Sequence, residues 1–221
     1  MTASNPAKVW DAPTRLFHWL IALLVFVSWR SAESGAMDWH YISGVSALAL
    51  LLFRLVWGLI GGSTARFSHF VRSPSAALDY LRDPAQVKGS PGHNPLGGYS
   101  VIAMLLSLAI QIGTGLFSVD VDGIESGPLS YLVTFDQGRT AAEIHELSFN
   151  ILLGLIILHV LAIAYYRIRH GRKLILPMIT GRDAQIPAGE EQLTSVRPIR
   201  FLLATTFAAG VAWWVNNGLT Y

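Results

Sequence analysis

The stretch Glu143-Ile144-His145-Glu146-Leu147-Ser148-Phe149-Asn150-Ile151-Leu152-Leu153-Gly154-Leu155-Ile156-Ile157-Leu158-His159-Val160-Leu161-Ala162-Ile163-Ala164-Tyr165-Tyr166 decides the fold. It is an almost unbroken apolar run, and ~20 such residues of helix cross the ~30 Å hydrocarbon layer of a bilayer. Its two histidines are fourteen residues apart, nearly four whole helical turns. At ~100° and ~1.5 Å per residue, both imidazoles share one face about 21 Å apart along the axis. Ionisable side chains at two depths of one membrane helix are unfavourable, and their default reading is functional.

Composition agrees with a membrane location. The 221 residues are 52% hydrophobic and 14% charged, with a mean hydropathy of +0.44, too apolar for an ordinary soluble domain. The chain has no cysteine, which excludes disulfides, thiolate-held iron–sulfur clusters and covalent attachment of haem through C-x-x-C-H. Any haem is therefore held non-covalently. Formal charge is +2 and the pI is near 9.0, but in a membrane chain the location of charge says more than its sum. No nucleic-acid partner is expected.

Outward from the opening stretch, the expected class is an all-α membrane protein: a four-helix transmembrane bundle with helices at about 14–34, 40–60, 97–117 and 143–166. This bundle forms a domain over 1–181, joined by a polar linker, 182–198, to an additional transmembrane helix at 199–218 that reads as an appendage. The first apolar run lacks a small-residue cleavage site and is expected to be retained. Between the second and third spans, Ser75 to Leu81 has the character of a short surface helix, and Gly92-His93-Asn94-Pro95 closes the loop. The segment Ser118 to Ala142 carries Asp120, Asp122, Glu125 and Asp136 against Arg139 and reads as an acidic loop.

The basic residues fix an orientation. Lys8, Arg15, the loop with Arg66, Arg72, Arg82 and Lys88, and the cluster Arg167, Arg169, His170, Arg172 and Lys173 fall on one side. The positive-inside rule makes that side cytoplasmic. The N-terminus is then cytoplasmic, and the acidic loop and the C-terminal Tyr221 are periplasmic, in a bacterial inner membrane. Depth pairs His40 with His145 near the periplasmic surface and His18 with His159 near the cytoplasmic one. The expectation is that each pair supplies two axial nitrogens to one b-type haem, an arrangement that leaves no open iron position and suits electron transfer, against the alternative that each histidine merely marks a helix boundary. Arg54 follows His40 by the same fourteen residues and so shares its face at cytoplasmic depth. A guanidinium there suits a haem propionate, and snorkelling to headgroups is the competing role. Gly44, Ala47, Gly113, Gly115 and Gly154 leave room for a flat macrocycle or for close helix packing.

Arg15-Leu16-Phe17-His18-Trp19, His40-Tyr41-Ile42-Ser43-Gly44 with Arg54, and Ile144-His145-Glu146 with Leu158-His159-Val160 resemble the bacterial cytochrome b561 family over roughly Val9 to Gly181. That family includes the b-type cytochrome subunits of nickel–iron hydrogenases and the superoxide oxidase of enteric bacteria. The resemblance implies two bis-histidine b haems ligated from the first, second and fourth helices and exchanging electrons with quinone. By position, one haem takes His18 and His159 and the other His40 and His145. The Ser63 to Pro95 loop and the fifth helix exceed the compact pattern of the superoxide oxidase-like members. They look more like the branch that works beside a dehydrogenase or a c-type cytochrome.

The leading expectation is a di-haem membrane cytochrome of the respiratory chain that carries electrons between the quinone pool and a periplasmic partner. Such a partner is a c-type cytochrome or a dehydrogenase or hydrogenase subunit, which the acidic loop would steer if it is basic. Superoxide oxidation coupled to quinone reduction is the alternative, ranked lower because a net acidic loop does not attract an anion. A non-redox scaffold or transporter with histidine proton relays is the third class. Arg15, His93, Tyr165 and Tyr166 are candidates for the quinone site beside the cytoplasmic haem.

Overall fold

A computed structural model describes residues 6–83, 92–122, 124–186, 193–194 and 197–219. Lys88, Pro187, Gly189, Glu190, Glu191 and Tyr221, which figure in the linker, loop and orientation readings, lie outside these residues. The described elements run β1 (Ala7–Lys8), α1 (Ala12–Glu33), α2 (Met37–Ile60), α3 (Phe67–Phe70), α4 (Pro74–Arg82), α5 (Pro95–Phe117), α6 (Phe135–His170), α7 (Ile175–Thr180), β2 (Arg182–Asp183) and α8 (Pro198–Asn216). Five of them, α1, α2, α5, α6 and α8, are long and apolar enough to cross a membrane.

Capping chemistry sets where the spans begin. Asp11, Asn94 and Thr134 each accept a backbone N–H of the first turn of α1, α5 and α6, and proline occupies the first turn of α1, α5 and α8; such caps satisfy donors that have no partner within the helix. At α6 the cap is a full capping box, because Gln137 reaches back to the Thr134 N–H while Thr134 accepts from Gln137. The helix therefore starts at Phe135, inside the stretch that reads as an acidic loop. Its 36 residues extend about 54 Å, well beyond the ~30 Å hydrocarbon layer. It stops at Gly171, which takes φ 65°, with Arg167, Arg169 and His170 in the last turn against the negative end of the dipole.

The helices alternate direction, so one end of the bundle gathers the starts of α1, α5 and α8 with the ends of α2 and α6. This is the basic end. Of the described Lys and Arg residues, only Arg30 and Arg139 lie at the opposite, acidic end. The helix α1 packs on α2 and α5 on α6, and α2 and α5 touch less extensively. The result is two hairpins, α1 with α2 and α5 with α6.

The central element is α2, whose span is 44% buried against 11–22% for the others. Its other flank is covered by α8, and this places the fifth span within the fold rather than beside it. Ala204, Ala208 and Ala212 recur every fourth residue and are buried there, since small side chains let membrane helices approach closely. Phe201 meets Phe53 and Trp57 at 5.8 and 6.1 Å. At the basic end β1 pairs antiparallel with β2, and Arg172 bridges Asp183 at 3.0 Å. The start of α1 is thereby tied to the segment that follows α6. At the acidic end Arg139 donates to Val119 O at 2.9 Å, Leu129 N to Leu116 O at 2.9 Å, and Tyr131 to Gly218 O.

Candidate haem-binding pairs

The structure brings His18 of α1 to His159 of α6 near the basic end and His40 of α2 to His145 of α6 near the acidic end. Their ring centroids are 6.3 and 6.0 Å apart, and all four rings are half-buried. A metal–imidazole bond of about 2 Å and a ring nitrogen about 1.1 Å from its centroid put two axial imidazoles on one metal about 6.2 Å apart, centroid to centroid. Both pairs match that separation. Their ring planes are inclined at 55° and 80°. Among the described residues no group of three or more His, Cys, Asp or Glu is assembled. A porphyrin needs none, because it supplies four nitrogens and asks two of the protein.

Hydrogen bonds select the nitrogen each acidic-end histidine presents. His40 Nδ1–H donates to Ser28 O and His145 Nδ1–H to Gln111 O, both at 2.8 Å, which fixes the Nδ1–H tautomer and leaves the lone pair on Nε2, the nitrogen that could take a metal. Ser43 reinforces the first contact: its hydroxyl lies 2.7 Å from that of Ser28 and donates to His40 O at 3.0 Å. Ser28, Gln111 and Ser148 were not singled out in the sequence. A trace exists only for Gln111, an uncharged but strongly polar side chain between Ile110 and Ile112 within an apolar span, and such residues are costly in lipid unless used.

The basic end differs. Arg54 is 3% exposed, its guanidinium carbon lies 4.8 Å over the Phe67 ring, and its Nη1 is buried without a hydrogen-bond partner. Thr14 Oγ1, one turn before His18, Thr64 Oγ1, Arg66 Nε and His69 Nδ1 are likewise buried and unsatisfied at this end. Buried donors without acceptors are rare in folded proteins. Here they suit an anionic group such as a haem carboxylate beside the His18–His159 pair.

The remaining candidates separate. Gly44, Gly113 and Gly154 face open space, whereas a Cβ on Gly115 would stand 2.8 Å from His145 Cε1. His93 packs between Trp10 and Phe70, with ring centroids at 4.8 and 4.6 Å. Burial, followed by the nearby Arg54 and His159 charges, pushes His93 down to about 3. Tyr166 joins Tyr80 and Asn94, the Asn94 amide donating to its hydroxyl at 2.7 Å and the Tyr80 hydroxyl lying at 3.0 Å. This triad fastens α4 and the start of α5 to the end of α6. Tyr165 is exposed and meets the His170 ring edge-on, with centroids 5.5 Å apart. Arg15 donates to Ile179 O, Trp19 Nε1 donates to Met178 O at 3.2 Å, and both line an open apolar groove with Leu16 and Phe201.

Residues 9–181 match the family described as prokaryotic cytochrome b561. No curated protein and no solved structure gives a match. The matched segment is most of the chain, contains all four paired histidines and Arg54, and leaves out α8. The chain belongs to the prokaryotic cytochrome b561 family: it is a multi-pass bacterial membrane protein of b-type cytochrome kind, and the group such a protein uses to transfer electrons is haem b.

Proposed function

We propose that this family member is a di-haem cytochrome passing electrons across the bilayer between the quinone pool and a periplasmic redox partner. The carrying observation is the pair of histidine pairs at 6.3 and 6.0 Å, one at each end of the bundle. In this reading His18 and His159 hold one haem b, with Arg54 taking a propionate, and His40 and His145 hold the other. Haem b, when bound, supplies a one-electron iron couple. Two imidazoles given to each group would leave no coordination position to a substrate, so the chemistry supplied there would be electron transfer rather than substrate binding. His145 and His159 lie about 21 Å apart along one helix, so each transfer covers part of the membrane.

The gathering of all described Lys and Arg except Arg30 and Arg139 at the end that holds the start of α1 supports a cytoplasmic placement of that end, with the acidic end in the periplasm. Asp122, Glu125, Asp136, Glu143 and Glu146 are exposed there, and such a surface suits a partner with a basic rim, such as a c-type cytochrome. It repels superoxide, which places superoxide oxidation second. Quinone exchange belongs to the basic end, beside the His18–His159 pair.

The test is haem content of the purified protein by pyridine haemochrome, followed by quinol-driven reduction of the spectrum. Two haem b per chain, reduced by quinol or oxidised by quinone, are expected. No b-type bands would leave only the scaffold or transporter class, and faster reduction by superoxide than by quinol or a c-type cytochrome would promote the superoxide oxidase reading.

A further inference from the structure

Gln111 of α5 addresses both nitrogens of one histidine. Its main-chain carbonyl accepts from His145 Nδ1 at 2.8 Å, and its side-chain Nε2 lies 3.0 Å from His145 Nε2. Ser148, three residues after His145, donates its one hydroxyl proton to Gln111 Oε1, with His145 O also within reach of Oγ at 3.1 Å. That contact turns the amide so that an N–H, rather than the oxygen, faces the imidazole. A single tautomer meets every contact, with the proton on Nδ1 and the lone pair on Nε2. The carbonyl is reachable because the residue one turn further along α5 is Gly115, where a Cβ would stand 2.8 Å from His145 Cε1 and 3.0 Å from Nδ1. Half-satisfied polar networks in apolar surroundings are unfavourable, and in this one each member has a partner.

We propose that Gln111 is the positioning residue of the acidic-end haem: it holds His145 as the Nδ1–H tautomer before haem arrives, and its carbonyl then keeps that ligand a strong donor, making this the lower-potential haem. The proposal rests on the two-haem reading. With Nε2 given to iron, the amide would release it while the carbonyl would keep Nδ1. A hydrogen bond from Nδ1–H raises imidazole basicity, and a more basic axial ligand favours the oxidised iron. His40 gains the same effect from Ser28 O at 2.8 Å. At the basic end, His18 Nδ1 meets no protein acceptor, and the buried cation Arg54 favours the electron-rich reduced state. These differences share one sign, so the downhill step runs from the acidic-end haem to the basic-end haem.

The experiment is an optical redox titration of the full-length haem-loaded protein. Two midpoints are expected, and His18→Ala, which removes a ligand of the basic-end haem, leaves the lower one. Gly115→Ala pushes the His145 ring off the carbonyl and raises the lower midpoint alone. Gly210→Ala on α8, where an added Cβ meets nothing within 4 Å, shifts neither. Gln111→Leu keeps the carbonyl and removes the amide, so haem uptake by the haem-free protein slows while the midpoint holds. A His18→Ala protein that retains the higher midpoint overturns the proposal, as does a two-haem Gly115→Ala protein in which both midpoints move or neither does. If Gly115→Ala does not hold haem, the His18→Ala midpoint and the Gln111→Leu uptake rate decide, and uptake at the wild-type rate refutes the holding role. A wild-type protein without haem fails the di-haem reading itself, a result distinct from any of these.

Discussion

Arg54 has a different balance of forces with and without an anion beside it. Its unmet Nη1 donor costs on the order of 1–3 kcal/mol when buried, and a propionate would turn that cost into a charge-assisted hydrogen bond. Arg54→Leu is therefore expected to be neutral or stabilising in the haem-free protein, and to lower both melting temperature and basic-end haem occupancy in the loaded one. Thermal unfolding of the two forms checks this, and equal shifts in both would leave only a packing role over Phe67. His159→Ala should halve the haem content, keeping the His40–His145 haem, and an unaltered pyridine haemochrome ratio would contradict the pairing. His93 supplies a pH dependence. Its folded-state value of about 3 lies below the ordinary ~6.5 of the unfolded chain, so the fold binds the proton less well and loses stability as pH falls from about 6.5 toward 3. His93→Gln should flatten that loss, and melting curves of the two proteins that stay parallel between pH 7 and pH 4.5 would refute it. The histidines were readable in the sequence because a fourteen-residue interval has geometric meaning on any helix. Gln111 was not, because its role depends on which residue of another helix lies opposite it.

Among the elements, α8 departs most from its sequence reading. Its apolar run was plain, but a run does not say whether a helix packs or floats. The deciding feature is the fourfold spacing of Ala204, Ala208 and Ala212, at 1%, 2% and 4% exposure, against α2. Ala208→Leu forces a larger side chain into that contact and should cost about 1–3 kcal/mol, read as a lower melting temperature in detergent, while Leu203→Ala on the exposed face should be nearly silent. A destabilisation of equal size at both positions would mean that α8 is held by something other than its alanine face. The start of α6 teaches a related lesson. Asp136, Gln137, Arg139 and Thr140 look like loop residues, yet Thr134 and Gln137 carry the spacing of a capping box, and the local cap outweighs the polarity of the first two turns. The extra length lifts the acidic-end start of α6 clear of the hydrocarbon layer, beside the surface proposed for the partner.

For the whole molecule, two helical hairpins are tied at both ends, and charge is divided between those ends. The ribbon of β1 and β2 fixes the basic end, where the His18–His159 pair lies, and the loop anchored on Val119 and Leu129 fixes the acidic end, where His40 and His145 lie. Which end faces the cytoplasm determines which haem meets quinone and which meets the partner, and therefore whether the inferred downhill step carries electrons inward. The exclusion of all described Lys and Arg except Arg30 and Arg139 from the acidic end predicts that this end is periplasmic. Because the chain has no cysteine, a single introduced thiol reports its own side without background. Asp122→Cys and Arg169→Cys place that thiol on exposed residues at the acidic and basic ends. A membrane-impermeant maleimide should label the first in intact spheroplasts and the second only after lysis. The reverse pattern would leave the histidine pairing untouched but exchange the two faces, sending the downhill step outward, toward the periplasm.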